Sequence, residues 1–92
     1  MQEVGTDFET GQVTAGTNAL PLTNNATIRC ERIHLTNPGS TVVYVGKSGV
    51  TISGGYGLDS NTHDLVIEYS GFVADVYCIA SGTQVIHWLA IK

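Results

Sequence analysis

The sequence predicts an all-β fold: a single antiparallel β-sandwich or short barrel, jelly-roll-like, of about seven to eight short strands. Three observations predict it. Thr (11), Val (10) and Ile (7) supply 28 of 92 residues, and β-branched side chains suit a pleated surface better than a helix. The strong helix formers are few, with 6 Ala, 6 Leu, 4 Glu, 2 Lys and 1 Met, which argues against a helical bundle. Short apolar runs recur between clusters of Gly, Asn, Ser and Pro at a spacing of about ten residues, the rhythm of a sandwich.

Residues 1–10, MQEVGTDFET, carry three acids and only Val4 and Phe8 as sizeable apolar anchors. They read as an extended arm, with the sandwich occupying 11–92. Gly11 to Ala15 is the first run. Ala19 to Leu22 contains Pro21, which cannot donate to a ladder, so that run belongs at an edge or crossing. Thr27 to Thr36 is the longest run. Ile28 and Cys30 share one phase, Ile33 and Leu35 the other, so a β-bulge at Glu31-Arg32 is expected to reset the facing. Asn37-Pro38-Gly39-Ser40 is a turn. Val42 to Val45 follows, then Val50 to Ile52 after a tight connection, then Tyr56 to Leu58. Leu65, Ile67 and Tyr69 alternate with Val66 and Glu68, as in a half-buried strand. Ser70-Gly71 breaks that strand. Val76 to Ala80 and Gln84 to Ile91 flank the Ser81-Gly82-Thr83 turn. Both faces of these last two strands are apolar, so they lie centrally in a sandwich or against another subunit. Tyr77 and Trp88 are expected inside, and Tyr56, in its glycine-rich turn, outside.

Charge and size narrow the function classes. Charged residues are 13% of the chain, the net charge is −4 and the pI about 5.0. Arg29, Arg32, Lys47 and Lys92 are scattered, whereas a phosphate backbone calls for a clustered cationic face. With 42% hydrophobic residues the chain is too apolar for disorder. No stretch reaches the roughly 18 apolar residues of a membrane span, and residues 1–10 lack the apolar core of a secretory leader. Either the chain works where it is made or a leader has been removed, and Met1 favours a reducing setting where it is made. There Cys30 and Cys78 are buried, reduced thiols rather than a disulfide. One domain of this length buries roughly 60–65% of its unfolded surface, a marginal share that favours a partner subunit.

No motif carries catalysis, a cofactor or a metal. Gly46-Lys47-Ser48 imitates the end of a phosphate-binding loop, but Thr41 stands where that pattern needs Gly, and Val50-Thr51-Ile52 reads as strand rather than helix. Gly54-Gly55-Tyr56-Gly57 lacks dinucleotide-loop spacing. His34, His63 and His87 are dispersed, and Cys30 and His34, four apart, stand about 13 Å from each other in a strand. No G-x-S-x-G elbow accompanies the Ser, His and Asp residues. Asn25-Ala26-Thr27 forms a glycosylation sequon, which without a secretory leader reads as a turn.

The order of motifs carries a resemblance. Leu20-Pro21-Leu22, Ile33-His34-Leu35-Thr36-Asn37, Val43-Tyr44-Val45-Gly46 with Ser48-Gly49-Val50, Val76 to Ala80, and Val85 to Leu89 together resemble small β-sandwich virion proteins of tailed bacteriophages. These decorate the head or form the base of head fibres. The resemblance spans roughly residues 11–91, and residues 43–50 are its most characteristic part. It implies a non-enzymatic structural protein that binds and stabilises the capsid surface in many copies. It also implies a major-capsid-protein lattice as partner and a homotrimer or other homo-oligomer, assembled in the host cytoplasm. The interface residues expected are Val4, Phe8, Tyr56, Ile86 and Trp88. The alternative is a host-recognition fibre or carbohydrate-binding module, with Tyr56 and the Gly-rich loops as its site.

Overall fold

Alternating side chains and frequent turn residues leave the backbone one economical way to pair its polar groups, in antiparallel ladders. The computed structural model describes residues 7–59 and 64–92. Among them run β1 (Phe8–Ala15), β2 (Leu20–Pro21), β3 (Arg29–Cys30), β4 (Arg32–Thr36) and β5 (Val43–Gly46). Then come β6 (Tyr56–Leu58), β7 (Asp64–Ile67), β8 (Gly71–Phe72), a 3-10 turn (Val73–Asp75), β9 (Tyr77–Ala80) and β10 (Gln84–Ile91).

Two four-stranded sheets form, in the orders β1-β10-β4-β7 and β2-β9-β5-β6, and a two-stranded ladder joins β3 to β8. Every pairing is antiparallel. The pairs are nested: β1 with β10, β2 with β9, β3 with β8, β4 with β7, β5 with β6. The chain is thus one long hairpin centred on the turn between β5 and β6, rolled so that its successive pairs alternate between sheets. This is jelly-roll topology. The sheets stay open and do not close into a barrel.

The core lies between the two sheets. Ile33, Leu35, Ile86, Trp88 and Ala90 enter it from the first sheet, and Val43, Val45, Leu58, Cys78 and Ala80 from the second. Their alternation along each strand is what a sheet buried on one face requires. Trp88 anchors one side. Its indole Nε1 donates to Leu22 O at 3.0 Å. Its ring lies where a side chain on the paired Gly11 would project, since a Cβ there would stand 2.5 Å from Trp88 Cζ2. Only glycine admits that contact.

Asn37 is the buried polar residue of the core. Its Nδ2 donates to Thr41 O at 2.9 Å and to Leu58 O at 2.7 Å, while its Oδ1 accepts from Gly39 N at 3.0 Å. Burial of the amide is thereby compensated, and the 37–40 turn is tied to β6.

Four expectations change. The strands number ten among the described residues, because β2, β3 and β8 are two-residue ladders. The phase switch at Glu31 is a change of partner rather than a bulge: Cys30 pairs with β8 and Arg32 with β10, so Ile28, Cys30, Ile33 and Leu35 are all buried. Val50 to Ile52 is not a strand. Thr51 O accepts from Gly54 N and Gly55 N at 3.2 and 2.9 Å, and Thr51 Oγ1 also accepts from Gly54 N at 3.0 Å. A turn closed this way leaves Ile52 exposed. Finally, β1 begins at Phe8, so Phe8 to Thr10 pair with β10 rather than belonging to the expected arm. Its first residues and His63 lie outside the described residues.

Candidate docking face and end groove

The burial of Ile86, Trp88 and Ala90 turns Val85, His87, Leu89 and Ile91 to the opposite, outer face of β10. Register assembles the rest of that face. Phe8 stands opposite Ile91, Thr10 opposite Leu89, Gln12 opposite His87 and Thr14 opposite Val85. On the other flank Arg32 stands opposite Ile91, His34 opposite Leu89 and Thr36 opposite His87. Val66 then continues the row from His34, and Asp64 the row from Thr36. Apolar side chains of β1, β10 and β7 therefore share this face, with Arg32, His34 and Thr36 of β4 standing between those of β10 and β7. Phe8 is 58% exposed and Val66 46% exposed, with half-buried Leu89 and Ile91 between them.

The face is hollowed between β1 and β4, where a trough of about 640 Å³ is lined by Thr10, Gln12, His34, Thr36, His87 and Leu89. On this face Arg32 Nε meets Glu68 Oε2 at 3.0 Å. Lys92 Nζ, 3.2 Å from Glu9 Oε1 and 3.7 Å from Asp7 Oδ2, pairs at the end of β1 and β10, where Glu9 stands opposite core-facing Ala90. Thr36 Oγ1 donates to Asp64 Oδ1 at 3.0 Å. An uncharged centre inside a polar rim is the composition of a protein–protein contact surface.

A second concavity lies at one end of the sandwich. Here β5 terminates in the Gly46-Lys47-Ser48 turn, β7 runs out towards Tyr69, and the 3-10 turn delivers Asp75 and Val76 to β9. The groove, of about 610 Å³, is lined by these residues with Ile67 and Tyr77. Burial, followed by the charge of Asp75, pushes the Tyr69 pKa up. The Lys47 turn is closed by Val50 N donating to Lys47 O at 2.9 Å, and no helix follows it. It therefore lacks the helix N-terminus of a phosphate loop.

Neither thiol is a reactive centre. Cys30 and Cys78 are both free and buried. Burial pushes Cys78 up to about 11 and raises Cys30 as well, which suppresses the nucleophilic thiolate. Among the described residues no group of three or more His, Cys, Asp or Glu side chains could hold a metal ion. No helix there is long and apolar enough to cross a membrane.

The expected interface residues do not form one surface. Phe8 lies on the outer face of the first sheet, whereas Tyr56, 57% exposed, is on the edge strand β6 of the second. Ile86 and Trp88 are corrected. They are 0% and 5% exposed because they fill the core of this chain, so they are not available to a partner. Val4 lies outside the described residues. The sequence pattern did contain the missed residues: Val85, His87, Leu89 and Ile91 occupy the other phase of the same strand. The end groove had no comparable signal, since Lys47, Tyr69 and Asp75 are brought together only by topology.

Compared with protein-family models, with curated proteins and with solved structures, the chain matches none.

Proposed function

We propose that the chain is a non-enzymatic phage virion protein that decorates and stabilises the capsid surface, docking through the outer face of β1-β10-β4-β7. The observation that carries this reading is the apolar cluster on that face, exposed Phe8 beside half-buried Ile91 and Leu89, with exposed Val66 beyond His34. The motif order around Val43–Val50, which resembles virion accessory proteins, gives that surface its partner, a repeating capsid lattice. A lattice offers many equivalent contacts, so modest single contacts suffice when copies associate as trimers or other oligomers. Each copy bridging two capsid subunits adds binding free energy that opposes their separation.

Occupancy on particles tests this reading. Leu89→Glu places a charge in the middle of the cluster and is expected to abolish co-sedimentation with capsids while the fold remains. Undiminished occupancy of the Leu89→Glu chain on purified particles overturns the docking face. Absence of the wild-type chain from such particles overturns the virion assignment itself.

A further inference from the structure

We propose that β1 is the junction of a two-fold dimer: two copies of this chain pair β1 to β1 antiparallel, centred on Gly11, and join their first sheets into one. The free edges point to this strand. Among the described strands, β1, β7, β2 and β6 stand at the ends of the two four-stranded sheets. Three of these are poor templates for another strand. β2 has two residues, one of them Pro21, β6 has three, and β7 has four and opens on Asp64. β1 has eight, paired with β10 at every position and so without a bulge, and it contains neither Pro nor Lys. Its one charge, Glu9, is already paired with Lys92. A groove of about 370 Å³, lined by Gln12 and Val13 together with Pro21 and Asn25, leaves space rather than packed chain beside the strand.

The backbone fixes the register. Lys92 N donates to Asp7 O at 3.0 Å, so Asp7 and, by alternation, Glu9, Gly11, Val13 and Ala15 turn their polar groups towards β10. Phe8, Thr10, Gln12 and Thr14 turn theirs to the open edge, where the rest of the described chain supplies no partner. The antiparallel register that satisfies all four sets Phe8 opposite Thr14 of the second copy and Thr10 opposite its Gln12, each pair exchanging two hydrogen bonds. Gly11 then meets Gly11 of the second copy, so no side chain crowds the axis on the core side, where Trp88 already fills the space beneath the glycine. On the outer face Phe8, 58% exposed, comes beside Thr14 of the second copy, whose neighbour on β10 is Val85. Glu9 meets Val13, so no like charges are opposed. The same patch serves both copies, and the contact closes at two.

The dimer does not rest on the capsid reading, and its test uses the full chain alone. Sedimentation equilibrium over a micromolar-to-millimolar series is expected to show a reversible dimer of the 9.7 kDa chain. In amide exchange followed by NMR, the N–H groups of Thr10 and Gln12 are expected to exchange slowly in concentrated solution and faster on dilution. Gln12→Pro removes a donor that only the junction uses and is expected to weaken dimerisation about tenfold or more. Thr10→Lys with Gln12→Lys sets lysine opposite lysine and is expected to do the same. Thermal melts report folding, and the lysine pair decides if Gln12→Pro does not fold. Dimerisation undiminished by the lysines, a trimer, or a dimer with the Thr10 and Gln12 amides unprotected overturns the proposal. So does a monomer at every concentration, and loss of the folded Gln12→Pro chain from particles then assigns the edge to a capsid strand instead. Leu89→Glu, which tests the capsid face, is expected to leave the dimer intact, so the two readings fail separately.

Discussion

The two sheets are built alike, yet their outer faces are finished differently. On the second sheet, Tyr44 lies against its own neighbours. A Cβ on Gly57, its partner on β6, would meet Tyr44 Cε2 at 3.4 Å, and one on Gly55 would meet Tyr44 Cβ at 2.7 Å. An aromatic ring laid over a cross-strand glycine seals that surface from within. On the first sheet the equivalent pairing of glycine and aromatic, Gly11 and Trp88, faces inward. The outer face there carries Phe8, Leu89, Ile91 and Val66 beside His34 and His87. The glycine–aromatic pair thus falls on the outer side of the second sheet and on the core side of the first.

Experiments can break this contrast at several strengths. The largest effect is expected from Trp88→Ala, which removes the inward ring and orphans the Leu22 carbonyl. A loss of about 3–5 kcal/mol is expected by urea unfolding. Tyr44→Ala, which uncovers Gly55 and Gly57, is expected to lower stability by about 1–3 kcal/mol and leave capsid occupancy intact. An occupancy loss there with stability kept would show that the second sheet also docks. Leu89→Gln is the converse. Stability is expected to change by less than about 1 kcal/mol, since the residue is on an outer face, while occupancy falls. Arg32→Ala breaks an exposed ion pair and is expected to cost about 0.5 kcal/mol or less, with the loss shrinking further in high salt.

Alkaline titration probes the interior that the faces share. The Cys78 thiol moves from 9.0 to about 11 on burial. Between those values the folded chain keeps a proton that the unfolded chain releases. This contribution is therefore complete below pH 9 and is lost as pH rises towards 11. Thermal midpoints of the wild type are expected to fall more steeply over that window than those of Cys78→Ala. Parallel curves would show that the thiol is not the group responsible.

Much of the architecture was legible along the chain. The apolar periods located nearly every strand, and the parity change at Glu31 marked the place where the chain changes partner. It could not say whether that change was a bulge or a crossing, because only β8, some forty residues later, distinguishes them. Val50 to Ile52 misled because strand propensity was outweighed by Thr51, whose backbone and hydroxyl close a local turn. Asn37 was read as a turn residue, and its buried amide, tied to Leu58 O, has no linear signature. The proposed docking face was half legible. The last strand showed two apolar phases, but which phase faced the core depended on Gly11, far away in sequence and adjacent in the ladder.

The nested pairing has a consequence for the order of assembly. The turn between β5 and β6 closes the shortest loop, and each further pair joins residues more distant along the chain, at growing entropic cost. The outermost pair, β1 with β10, brings Phe8 beside Ile91 and completes the apolar cluster. A chain still emerging from the ribosome, or one cut near either end, lacks that cluster. Under the proposed docking, that surface is also a mark of completion, and the lattice takes up only finished copies.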